Sequence, residues 1–425
     1  LQVSDEKLQT SLKDSTKGAD SGEGNKGLRQ SLVVAEVIFS LLLLISAGLM
    51  MQSFWKLRQV DAGIKPENLL TVRATRFSIE TSREAMTRSS ANNYRNIVNK
   101  LQTLPGVNFV SAGGDIPYYN KPEERDKDFI AVRGQDQKNE EFHLPVQGAD
   151  VMPGYFEALG VPLLAGRDFT EADDFGSKPA VIVSKYTAER LWPGRDPIGQ
   201  EVIWGKEDPD NPWSVVVGVV GDTKWQATEK VKGYELYYSY KQWPTISMYL
   251  LVRTSVGTEQ ISTSIRQAIR EVSPDTAIID IKTMENVISE ALWQRRLWGL
   301  LFATFATVAL LMMCVGIYGV MSYAVSQRTR EIGLRMALGA QPLDVLILII
   351  SQGLKLVVIG LVVGLVASFA TTRLLSSLLF GISANDPITF VVVSVLILLI
   401  ALIACFIPAK RAAKIPPLEA IRCDS

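Results

Sequence analysis

Gln327–Gln341 reads QRTREIGLRMALGAQ, and it lies between two long apolar runs. Arg328, Arg330 and Glu331 open it, directly after the first run. Apolar residues then recur at helical spacing: Ile332, Met336 and Gly339 on one side, with Leu334, Ala337 and Leu338 beside them. Arg335 follows Glu331 by four residues, so the two can pair along a helix. Gly339 and Pro342 read as helix-stop signals. The stretch predicts a short amphipathic helix in a loop between membrane spans. Two readings follow. Short cytoplasmic loops carry Arg and Lys in any case; the ordered apolar face points further, to a docking surface for another protein.

Four stretches of the chain are long and apolar enough to cross a bilayer, which takes about 20 residues. They are Leu32–Met51, Leu297–Gln327, a run centred on Leu354–Ala370, and Ile388–Ala409. Glu36 interrupts the first near its basic end and reads as an interfacial anchor; a site inside the bundle is the other option. Gly360 and Gly364 form a small-xxx-small pair suited to close helix packing. Lys26 and Arg29 precede the first span, Arg328, Arg330 and Arg335 follow the second, and Lys410, Arg411 and Lys414 follow the fourth. The loop between the third and fourth carries neither Lys nor Arg. The basic clusters therefore fall on one side, which places both termini and the 327–342 segment in the cytoplasm.

The polar remainder, residues 54–294, is long enough for two lobes. Helical patterns cover Arg83–Leu104, Tyr186–Trp192 and Thr258–Val272, the last with Ile261, Ile265, Ala268 and Ile269 on one face. Strand patterns cover Asn108–Ala112, Pro179–Val183, Val215–Val220 and Met248–Arg253. Alternating strands and helices argue a mixed α+β domain. Thr283–Trp298 is helical and is expected to run unbroken into the second span. Residues 1–27 read as a polar linker or tail.

The sequence also excludes chemistry. Its 425 residues carry 44 basic and 44 acidic side chains, which gives no bulk charge for nucleic acid. His143 is the one histidine and lacks a partner at metal-ligand spacing. Asp173 and Asp174 read as solvated loop carboxylates. No Ser-centred elbow and no phosphate loop occurs, so no catalytic or metal residue is named and no cofactor is expected in this chain. Cys314 and Cys405 lie in apolar runs and Cys423 in the tail, so no disulfide framework is expected. Leu1 is not a start methionine, so the chain reads as a fragment or a processed product.

The wording of 327–341, the tail IPAKRAAKIPPLEAIR (407–422), PGYFEALGVPLLAGRDFTEAD (153–173) and LWPGRDPIGQ (191–200) together resemble the MacB/FtsX-type permeases of ABC transporters. The resemblance spans about 28–422. It implies an α-helical membrane protein with four transmembrane helices and a large extracytoplasmic α+β domain inserted between the first and second. The implied parts are a linker at 1–27, a first helix at 28–53, the core domain at 54–294 with an inserted lobe at about 145–240, and a permease domain at 295–425. It further implies a bacterial inner-membrane permease that couples ATP hydrolysis in a partner ABC ATPase, which holds the MgATP, to movement of the outer domain. The coupling residues would be Arg328, Arg330, Glu331, Ile332, Leu334, Arg335, Leu338 and Gly339. A second permease copy or repeat, the lipid bilayer and a periplasmic or outer-envelope protein are the other partners implied; a first repeat preceding Leu1 stays open. So do two alternatives: a non-transporting regulator of a cell-envelope process, and a receptor without an ATPase.

Overall fold

The computed structural model describes residues 21–59, 62–76, 80, 82–119, 130–134, 146–205, 207, 211–225, 233–243, 245–375, 382–383 and 385–413. His143, Lys414, Cys423 and most of the loop before Asp386 lie outside the described residues. In chain order the helices are α1 Ser21–Gln59, α2 Arg83–Gln102, α3 Tyr155–Leu159, α4 Lys185–Leu191, α5 Thr258–Val272, α6 Met284–Ala291, α7 Trp293–Gln327, α8 Thr329–Ala337, α9 Pro342–Leu375 and α10 Pro387–Ala412. The strands are β1 Leu69–Arg76, β2 Val107–Gly113, β3 Ile130–Val132, β4 Val146–Val151, β5 Leu163–Gly166, β6 Ala180–Ser184, β7 Glu201–Trp204, β8 Ser214–Val220, β9 Tyr234–Ser239, β10 Ser247–Thr254 and β11 Thr276–Thr283. The chain divides into two compact units, Leu1–Gln59 with Gln294–Ser425, and Val60–Trp293.

The first unit is a helix bundle. Gly27–Leu57, Arg296–Gln327, Pro342–Arg373 and Pro387–Ala412 are each long and apolar enough to span a membrane. In lipid, burying Leu against Leu gains little over burying it in acyl chains, so close backbone approach has to hold such a bundle. Gly360 and Gly364 supply it. A Cβ at Gly360 would lie 2.8 Å from Val37, and one at Gly364 2.8 Å from Leu41. Around that contact Val33, Val37, Leu41, Ile45 and Leu49 of α1 pack with Val357, Ile397 and Ala401. Glu36 is corrected: its carboxylate lies against Gly316 of α7, with one oxygen buried and without a hydrogen-bond partner among the described residues. It faces into the bundle because the residue opposite has no side chain. Residues 21–27 are helical rather than part of a linker, and α1 continues past 53 to Gln59.

The second unit is built on one ladder in the order β11-β1-β10-β2-β4-β9-β6-β8-β7-β3, with β5 on β8. Its first four strands, all antiparallel, alternate with α2 and α5 along the chain as β1-α2-β2-β10-α5-β11. Strand order 4-1-3-2 with this connectivity is the ferredoxin-like split β-α-β arrangement. Strand period 2 sorts its residues. Leu70, Val72, Ala74, Met248, Leu250 and Val252 face α2 and α5, while Leu69, Tyr249 and Leu251 face the other way. Ile261, Ile265, Ala268 and Ile269 of α5 are all buried in the first of these cores. Ser82 caps α2, its hydroxyl accepting from the Ala85 N–H at 3.2 Å.

Everything between β2 and β10 forms a second half. It includes β3, so it begins earlier than 145. Its Tyr155, Phe156 and Leu159 pack under Leu69, Tyr249 and Leu251 of the base, while among the described residues its strands pair with the base at one ladder position, Gly113 with Val151. The Gly114 N–H donates to Asp150 O at 2.8 Å and the Met152 N–H to Ala112 O at 2.9 Å on either side of that pair. Here the 153–173 motif finds its role. Gly154, Gly160 and Gly166 take positive φ of 82°, 74° and 72°, which glycine adopts without strain. Asp168 accepts from the Gly154 N–H at 2.9 Å and the Phe169 N–H at 2.7 Å. Asp173 is buried rather than solvated. Burial pushes its carboxyl up, but the two-pronged Arg167 pair at 2.7 and 2.8 Å and the Thr170 N–H outweigh it and hold it below its ordinary value.

The unbroken helix expected over Thr283–Trp298 is also corrected. Thr283 caps α6, accepting from the Asn286 N–H at 3.2 Å. Leu292 ends it with φ −98° and ψ −6°, its N–H drawn onto the Ile288 and Ser289 carbonyls. α7 starts afresh at Trp293.

Candidate functional site

The 327–342 segment folds as α8, closed on both sides by the bundle's own helices. Its end is a Schellman turn. The Ala340 N–H donates to Arg335 O at 3.0 Å and the Gly339 N–H to Met336 O at 3.1 Å, with Gly339 at φ 101°. Pro342 is not a stop: it opens α9, where its missing N–H costs nothing. Asp344 accepts from the Gln341 N–H at 3.0 Å and caps that start.

The two faces of α8 are unlike. Ile332 is buried in the bundle core with Val345 and Ile349, and Met336 packs against the same cluster. Glu331, Leu334, Arg335 and Leu338 repeat at i, i+3, i+4 and i+7 and form the opposite stripe. Leu334 is 55% and Leu338 81% exposed. Arg335 Nη2 donates to Glu331 Oε1 at 2.7 Å, both side chains half exposed. The acid stands in the first turn and the base in the last, which suits the helix dipole. Ile332 therefore belongs to the anchor and not to the outward face. Arg328 points back to the bundle, its Nη1 within 3.4 Å of Gln352 Oε1. The backbone of Arg330 lies in the first turn of α8.

Basic residues from three helices gather at this end of the bundle. Arg29 stacks on Tyr323 at 4.2 Å from the ring centroid, and Arg411 Nη1 donates to the Tyr318 hydroxyl at 3.0 Å. Sequence reasoning did not pick out Gln352, Tyr318 and Tyr323; the signal for the two tyrosines is their place in the last three turns of α7, just before Arg328.

Residues 32–268 match the family model of the MacB-like periplasmic core domain, more than half of the chain, and residues 303–417 match that of the FtsX-like permease C-terminal domain. The chain belongs to the MacB/FtsX-type permease family. Its α+β domain between the first apolar helix and the other three is the periplasmic core domain of that family. The macrolide export ATP-binding/permease protein MacB of Burkholderia cenocepacia is 26% identical over 76% of this chain and 47% of its own length. The probable syringafactin export ATP-binding/permease protein SyfD of Pseudomonas syringae pv. tomato is 26% identical over 64% of this chain and 41% of its own length. The crystal structure of the periplasmic region of MacB from Actinobacillus actinomycetemcomitans aligns at 15% identity with a TM-score of 0.34, covering 55% of this chain and 97% of that one. The chain spans less than half the length of these curated relatives.

Proposed function

We propose that this chain is the permease part of an ABC-type export complex in a bacterial inner membrane. Its termini and α8 face the cytoplasm, and its α+β domain lies outside. An ATP-binding unit, carried on a separate subunit or on another part of a longer polypeptide, docks on the stripe Glu331, Leu334, Arg335 and Leu338. Arg330 flanks the stripe, and Gly339 shapes its end. ATP hydrolysis there drives the outer domain through the spans, with a second permease copy completing the assembly and an outer-envelope protein receiving the cargo. MgATP belongs to the ATP-binding unit.

One observation carries the reading. Two leucines stand largely exposed beyond the apolar part of the bundle, on a short helix whose other face is locked by Ile332. Exposed, rigidly held leucines at a polar end are an anchor without a pocket. The relatives named as ATP-binding/permease proteins combine both functions, which supports an ATP-binding unit as the occupant. The test is disulfide or bifunctional cross-linking from Leu338→Cys in membranes holding the full complex. A cross-link to the ATP-binding unit is expected; cross-links to lipid-facing proteins alone, with the ATP-binding unit present, would sink the proposal.

A further inference from the structure

The soluble unit holds a recess of about 360 Å³ that ATP-unit docking does not use. Asp150 on β4 and Tyr238 on β9 are register partners in a parallel pair. Trp204 ends β7, four places along the ladder from β4, yet an edge of its ring reaches Gly148. A Cβ at Gly148 would meet Trp204 Cζ3 at 3.4 Å. The sheet thus curls far enough to bring Trp204 onto the face of β4 that carries Gly148 and Asp150. Gly205, at φ 85°, turns the chain away after Trp204, and Asn211 Nδ2 holds that turn by donating to Trp204 O at 2.8 Å. Trp243 stands edge-on to Tyr238 with ring centroids 5.5 Å apart.

Among the described residues, Asp150 is the one charged side chain lining the recess. Asp150 receives a long hydrogen bond from Thr245 Oγ1 at 3.2 Å. Among the described residues no Lys or Arg pairs with it. Burial pushes its carboxyl up to about 6, as expected of a desolvated carboxylate. Around it stand three aromatic rings, whose faces attract cations. The structure already shows this at Trp243, where the Arg83 guanidinium sits 4.6 Å from the ring centroid. A neutral polyol would need several free donors and acceptors. Here the Asn211 amide nitrogen is engaged with Trp204; the Trp243 Nε1–H is buried without a hydrogen-bond partner among the described residues, and Asp150 supplies the charge. Ligand pockets usually measure about 300–1,000 Å³, so this one suits a small group.

We propose that this recess binds a small organic cation, an amine or quaternary ammonium group, with Asp150 as counter-charge and Trp204, Tyr238 and Trp243 as the cage. The site is independent of the docking stripe and stands whether or not an ATP-binding unit binds there.

The test uses the purified full chain in a non-ionic detergent, with choline as the probe and 3,3-dimethyl-1-butanol as its neutral isostere. Binding is read by calorimetry and by tryptophan fluorescence. Saturable choline binding is expected, with the neutral isostere at least about tenfold weaker. Asp150→Asn keeps the shape and should weaken choline by about tenfold or more. Should that variant fail to fold, Trp204→Leu carries the same expectation. Absence of saturable choline binding below about 10 mM would overturn the proposal. So would equal affinity for the neutral isostere, or parental choline affinity in a folded Asp150→Asn or Trp204→Leu variant.

Discussion

Truncating the two outward leucines of α8 gives the most direct measure of the docking proposal. Complete burial of a leucine side chain is worth about 1.5–3 kcal/mol. Leu334 has 55% of its surface left to bury and Leu338 81%. Scaled by those fractions, they offer roughly 1–1.5 and 1–2.5 kcal/mol, together roughly 2–4 kcal/mol, or about 30- to 1,000-fold in Kd. The Glu331–Arg335 pair is half exposed on both sides, and such pairs contribute only about 0–1 kcal/mol. Leu334→Ala/Leu338→Ala should therefore lose most of that affinity, Leu334→Asp at least as much as its share, and Arg335→Ala less than about fivefold. The measurement is a titration of the purified ATP-binding unit onto each variant in lipid nanodiscs, after equal membrane levels have been checked. Ile332 stays untouched, because its removal would unseat the helix itself. A double-alanine Kd within about threefold of the parent, or a larger loss from Arg335→Ala than from both leucines, would show that the stripe is not an apolar anchor.

Three further outcomes are expected. Glu235 is buried, accepts from Thr223 Oγ1 and the Tyr237 hydroxyl at 2.7 Å each, and burial pushes its carboxyl up to about 7 from an ordinary 4.5. The folded state then keeps a proton that the unfolded state has lost, so stability should fall by about 3 kcal/mol as pH rises from 4.5 towards 7. Glu235→Gln should flatten that slope in chemical denaturation, and an unchanged slope would refute the assignment. Gly364→Ala places a Cβ 2.8 Å from Leu41 and should cost about 1–3 kcal/mol, seen as a lower melting temperature in detergent. Gly319→Ala, with open space around it, should show no such drop. For topology, a membrane-impermeant maleimide should label Gly194→Cys in intact spheroplasts and Leu338→Cys only after permeabilisation; labelling of both without permeabilisation contradicts the orientation.

What was legible in the sequence was local and periodic. The buried stripe of α5, the Glu331–Arg335 pair, the Gly339 turn and the Gly360/Gly364 spacing can each be read within a few turns of one helix. Which side of α8 faces inward was not legible. Its nine residues carry apolar side chains on both faces, and only packing against α7 and α9 selects Ile332 over Leu334. Pro342 has the same chemistry whether it ends one helix or starts the next. Leu292 carries no breaker residue, and its buried side chain belongs to tertiary packing. The Asp150 recess was hidden for a different reason. Asp150, Trp204 and Tyr238 are far apart in sequence and meet through ladder register and sheet curl.

The single ladder pair at Gly113 and Val151 bears on the order in which the soluble unit assembles. In the ferredoxin-like base, β2 and β10 occupy the place where a tight hairpin would join neighbouring strands, and Gly113 and Tyr249 are register partners. Instead the chain departs after Gly113 and returns at Ser247. Were that excursion structureless, closing it would cost about 3 kcal/mol more than closing a four-residue turn. A folded excursion whose two ends already lie side by side removes that penalty. The second half thus acts, for the base, as an oversized turn. Its early collapse would shorten the search by which β10 finds β2, and the β2–β10 pairing would be slow in any variant whose second half folds late.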